Sequence, residues 1–148
     1  MGFKFIHYLP FCILFVLQSC TCSHQDEQLM VEGISKDLAT HRKEQISNLT
    51  YALSFNIPAA HTAAIEASET CTFDLSQVKG DLIFDFQVDT SFVRSITING
   101  QKIKVRFKNG HFSIAENHLK AGNNQVDIQF IAGEQSLNRN PDYLYTLL

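Results

Sequence analysis

Few residues in this 148-residue chain could do chemistry, and they are scattered. Six histidines are present. His111 and His118 are the closest pair in the folded region, and no histidine spacing matches a metal triad. No His-Glu-x-x-His, Gly-x-Ser-x-Gly, P-loop or dinucleotide fingerprint occurs. Asp85, Asp89 and Asp127 fall on expected strands or at their ends, with no readable partner for acid–base work. Asn48-Leu49-Thr50 matches a glycosylation sequon, a tripeptide that chance also supplies. The four cysteines form no Cys-x-x-Cys pair, so neither a structural zinc nor a redox motif is expected. The residues alone assign no catalytic and no metal-binding side chain, and no cofactor.

The elements that would have to position any site are β-strands. Charged residues make up 18% of the chain and hydrophobic ones 45%, which places it among globular proteins of one domain. Twelve phenylalanines and no tryptophan predict a core rich in Phe. The formal charge is −3 and no basic block is present, which argues against nucleic acid as a partner.

From Leu49 apolar residues recur with period two. Leu49, Tyr51, Leu53, Phe55 and Ile57 predict a long half-buried strand that Pro58 ends. Ile65, Ala67, Cys71, Phe73 and Leu75 predict a second. Glu69 shares their parity, which suggests a bulge or a strand end open to water. Leu82 to Val88 and Val93 to Ile98 follow. Ile103, Val105 and Phe107 make a fifth strand, with Lys102, Lys104, Arg106 and Lys108 on its other face as a solvated or edge-protecting row. Asn99-Gly100 and Asn109-Gly110 supply hairpin turns, so Val93 to Ile114 reads as a three-strand meander. A helical turn over Glu116 to Lys120 and a strand through Val126, Ile128 and Phe130 complete seven strands. A short helix precedes them over Ser35 to Ile46. Ser35 is its cap, Asp37 lies in its first turn, Arg42 and Lys43 lie near its end, and Ile34, Leu38 and Ile46 form a thin apolar face. The fold expected is all-β, an antiparallel curved sheet or sandwich with a short N-terminal helix.

The N-terminus reads as a targeting segment. Lys4 precedes an apolar run from Phe5 to Leu17, too short for a stable membrane span. Leu17-Gln18-Ser19-Cys20 resembles a bacterial lipobox. That resemblance implies cleavage before Cys20, lipidation of Cys20 and anchoring at the cell envelope, on a bacterial membrane's periplasmic face or the cell surface. An ordinary secretory signal cut nearby is the alternative. Cleavage removes residues 1–19, Lys4 and Cys12 among them, and moves the formal charge from −3 to −4. Cys22 and Cys71 then remain as thiols, one in a tether and one in a strand, and no disulfide is expected. The expected divisions are a signal at 1–19, a tether at 20–33 and a β-domain at 34–148. In the tether Gln25-Asp26-Glu27 is solvated; a similar patch accompanies surface export in some bacterial lipoproteins.

Several pieces, in order, carry a family resemblance. They are Arg42-Lys43-Glu44-Gln45-Ile46-Ser47-Asn48-Leu49-Thr50-Tyr51, Leu53-Ser54-Phe55-Asn56-Ile57-Pro58, Ile98-Asn99-Gly100 and Asn124-Gln125-Val126-Asp127-Ile128-Gln129-Phe130. The tail adds Ala132-Gly133, Ser136-Leu137-Asn138-Arg139 and Asp142-Tyr143-Leu144-Tyr145-Thr146-Leu147. Together, over 34–148, they resemble the N-terminal domain of the M1 family of zinc aminopeptidases. The resemblance implies a saddle-shaped antiparallel β-domain that docks on a thermolysin-like catalytic domain. In the family that second domain carries Gly-x-Met-Glu-Asn and His-Glu-x-x-His, binds zinc and removes N-terminal residues from peptides. None of those motifs stands in this chain, so zinc and peptide substrates belong to a full-length enzyme and this chain alone is expected to be inactive. The family's one substrate contact from this domain, a Gln or Glu, would fall near Leu147, where leucine cannot hold an ammonium.

The run Tyr143-Leu144-Tyr145-Thr146-Leu147-Leu148 reads either as a docked last strand or as a polypeptide that was meant to continue. In the second case the domain is incomplete at its C-terminus, with an unpaired edge and an exposed apolar face. The competing function is a lipid-anchored β-sandwich that captures peptide or glycan. A subunit that docks on a full-length aminopeptidase is a third.

Overall fold

The computed structural model describes residues 28–87, 89–133, 137–140 and 142–146. Among the described residues the chain builds helix α1 (Lys36–Gln45) and ten strands: β1 (Ile46–Asn56), β2 (Ile65–Leu75), β3 (Leu82–Asp85), β4 (Val93–Ile98), β5 (Gln101–Ile103), β6 (Arg106–Lys108), β7 (His111–Ile114), β8 (Gly122–Ala132), β9 (Leu137–Arg139) and β10 (Leu144–Thr146). All pairings are antiparallel. A five-stranded sheet runs β1-β2-β8-β4-β5, a three-stranded sheet runs β3-β7-β6, and β9 and β10 form a small hairpin. The mostly β, antiparallel architecture with a short helix before β1 is the one the sequence predicts.

Period-two alternation turns one face of each large strand inward. Cys71, Phe73, Ile96, Ile98, Val126 and Ile128 come from the five-stranded sheet. Leu82, Phe112 and Ile114 meet them from the three-stranded sheet. Phenylalanine fills the space between. The Phe84 and Phe112 rings stack at 5.0 Å, and Phe86 sets its ring against Phe130 at 5.3 Å in an edge arrangement, geometries that aromatic quadrupoles favour.

The meander expected over Val93 to Ile114 is two hairpins in different sheets. β4 pairs β5 and β6 pairs β7, and the fifth strand breaks at Lys104-Val105 as it passes between layers. Alternation continues through the break, so pattern alone does not reveal it. Both Asn-Gly turns form, with positive φ at Asn99, Gly100, Asn109 and Gly110.

α1 is capped by Ser35, whose Oγ accepts from the Leu38 N–H at 3.1 Å. Leu38 is buried but Ile34 is exposed, so the helix docks through less apolar surface than expected. Leu38 packs instead with Leu29, Met30 and Ile83. The tether expected over 20–33 therefore gives way to packed chain by Leu29. Asn109 Nδ2 fixes this segment by donating to the Met30 carbonyl at 2.8 Å.

Candidate functional site

The three-stranded sheet covers β2, β8 and β4 but leaves β1 bare. From Ser47 to Asn56 every β1 residue is exposed, including Leu49, Tyr51, Leu53 and Phe55. The strand expected to be half-buried is a strand with both faces open. A bulge sets up this arrangement. Ser47 pairs Asp74 and Thr50 pairs Thr72, so Asn48 and Leu49 together oppose Phe73. Asn48 takes the left-handed conformation at φ 52° and donates from Nδ2 to Asp74 Oδ2 at 2.7 Å. The extra residue lets even-numbered Ile46 reach the core while odd-numbered Tyr51, Leu53 and Phe55 share its side of the sheet.

Beside β1 lies a groove of about 400 Å³, walled by Tyr51, Glu69, Phe73, Phe84 and Ile128 and bounded by Arg42, Lys43 and Asp85 at the α1 end. Glu69 pairs Leu53 and so faces the groove. The register is regular at Glu69 on both sides, so the bulge expected there is absent; the bulge falls on β1 opposite Phe73, and Glu69 sits in a groove open to water. Burial raises its carboxyl above the ordinary glutamate value. No hydrogen bond or ion pair reaches it among the described residues. Burial also raises Tyr51, with the Cys71 and Glu69 charges adding to the effect. Cys71 opposes Tyr51 in the ladder, and burial pushes its thiol up to about 11. Such a thiol is neither nucleophile nor ligand at neutral pH.

At the groove's end Arg42 grips Asp85 with two bonds of 2.7 Å and donates from Nε to the Ile83 carbonyl at 3.0 Å. The Arg42 guanidinium holds the Asp85 carboxyl below the ordinary range, and His111 adds to this. Buried His111 places Nδ1 2.8 Å from Asp85 Oδ1, and Nε2 2.8 Å and 3.0 Å from the carbonyls of Val31 and Gly33. This histidine ties the N-terminal segment to the sheet.

The other singled-out residues are structural. Asp127 accepts from Thr70 and Thr97 on the sheet's outer face. Asp89 caps the turn at Ser91 and its carboxyl is lowered by that backbone bond. His118 stands apart from His111, in the turn after β7, where its carbonyl accepts from Asn99. Lys102 and Arg106 lie on the edge strands β5 and β6, where charge guards against pairing. Among the described residues no three His, Cys, Asp or Glu side chains cluster as metal ligands, and no helix is long and apolar enough to cross a membrane. Cys20, Cys22 and Leu147 lie outside the described residues.

Sequence reasoning missed Arg139. It is buried and donates to the carbonyls of Pro58, Ala60, His61 and Ala63, clasping the β1–β2 loop. It was marked only as part of the tail piece Ser136-Leu137-Asn138-Arg139, and nothing there foretells four carbonyls.

Fold and site together define an antiparallel β-sandwich whose edge strand β1, uncharged along its length, lies beside a groove that holds the Glu69 carboxylate. No family model, no curated protein and no solved structure matches the chain.

Proposed function

We propose that this chain is the non-catalytic N-terminal β-domain of an M1-type zinc aminopeptidase, lipid-anchored through Cys20 at a bacterial cell envelope. The observation that carries the reading is the bare apolar face of β1, the kind of surface a second folded body covers. The contacts between the resembling pieces support it. Arg139, in the tail piece, clasps the loop that begins at Pro58. Asn99 exchanges backbone and side-chain bonds with Asn124 and Gln125. Zinc and peptide hydrolysis belong to the partner domain. The purified chain should release no product from aminoacyl-p-nitroanilides, with or without added Zn²⁺. The reading frame past the codon for Leu148 should run, directly or after one frameshift, into Gly-x-Met-Glu-Asn and His-Glu-x-x-His. Unrelated sequence behind a clean stop overturns the reading.

The open edge of β1 favours a second reading, a lipid-anchored module that captures a polypeptide by strand addition. Peptide binding by the intact chain, seen in a family-independent assay, separates it from the first.

A further inference from the structure

The groove beside β1 selects charge as well as shape. Ile46–Asn56 contains no charged residue and no proline, so beyond the bulge at Asn48-Leu49 the strand carries neither of those edge guards. From Thr50 to Asn56 the ladder to β2 is regular. Alternate residues of such a stretch hold their N–H and C=O groups outward for a further strand. On the inward side Tyr51, Leu53 and Phe55 stand in a row, with Glu69 directly behind Leu53. Among the described residues Glu69 is the one charged side chain on that face of β1, β2 and β8, because Glu66, Asp74 and Asp127 point to the other. At the α1 end of the groove Arg42 is already held by Asp85, and Lys43 borders the groove beside it.

A strand laid on β1 stands two strand spacings from β2, about 10 Å. The long stems of lysine and arginine cross such a distance while packing along apolar surface, and half-exposed Leu53 supplies that surface. We propose that β1 takes an extended segment of another polypeptide as an added strand, apolar at alternate positions and carrying one lysine or arginine that passes over Leu53 to Glu69. A second copy of this chain does not meet the requirement. β1 brings no cation, so a two-fold β1–β1 pair leaves both Glu69 carboxylates without a donor. The inference rests on the strand-addition reading above and adds to it the chemistry of the partner.

The test uses the whole chain and three capped heptapeptides, Thr-Val-Thr-Xaa-Thr-Val-Thr, with lysine, norleucine or glutamate at Xaa, so that Xaa shares a face with the valines. Fluorescence anisotropy reads affinity, and amide spectra locate the site. The lysine peptide should bind at least about ten-fold tighter than the norleucine peptide at low salt and move the amides of Thr50 to Asn56. E69Q should erase that preference, and E69K should transfer it to the glutamate peptide. Equal affinity for all three, with the β1 amides still moving, overturns the charge assignment and leaves strand addition standing. Failure of every peptide to bind overturns both. A concentration-dependent dimer of the parent chain, abolished by Leu53→Lys, would identify a second copy as the occupant and overturn the proposal.

Discussion

Glu69 and Asp85 line one groove and respond to acid in opposite ways. The folded chain raises Glu69, so its contribution to stability is complete below the ordinary glutamate value and is lost as pH rises through the raised one. E69Q should therefore melt above the parent at pH 7, and the gap should close below about pH 4. Asp85 is lowered, chiefly by Arg42, so its contribution is present above the ordinary aspartate value and disappears as pH falls through the lowered one. D85N should cost about 1 kcal/mol at neutral pH, since the pair is partly solvated, and less as acid protonates the parent. Urea titrations across pH read both signs. Cys71 gives a third test. With the thiol pushed to about 11, only on the order of one molecule in a thousand is a thiolate at pH 8, and the side chain is buried. Ellman's reagent should label Cys71 in urea and leave it unlabelled in the native chain. None of these environments could be read from the chain. Parity placed Glu69 on an inward face, but which part of that face lies uncovered depends on another sheet.

At the scale of elements the chain was more legible. The cap at Ser35, the two Asn-Gly turns and the alternation through β2, β4 and β8 are local chemistry, and each formed where the residues put it. The β1 bulge left no such mark. Asn48 merely permits it, because asparagine tolerates positive φ and a β-branched residue does not. Asn48→Val should cost about 1–2 kcal/mol, with Asn48→Gly near neutral, in denaturant midpoints. The crossing between β5 and β6 was also invisible, because an alternating row keeps its parity when a strand changes layers. The same holds for the packed segment at Leu29 and Met30, two apolar residues too few to signal an element.

For the whole molecule, the covered part of the five-stranded sheet carries the stability and its bare strand carries little. Replacing Leu53 and Phe55 together by threonine should leave the denaturation midpoint nearly unchanged, because both are already half in water. The same variant should stain less with an environment-sensitive dye. Composition announced a core rich in Phe, and six phenylalanines line it. Composition could not announce how far the second layer reaches, since that follows from the short length of β3, β6 and β7. The strand order has one more consequence, in time. β8 lies between β2 and β4, yet it is made after both. A chain emerging from its N-terminus must hold two separate hairpins, each with a raw edge toward the other, until Gly122–Ala132 arrives to be inserted between them. The sheet closes from the inside and late, so the half-made chain is the form most in need of a chaperone.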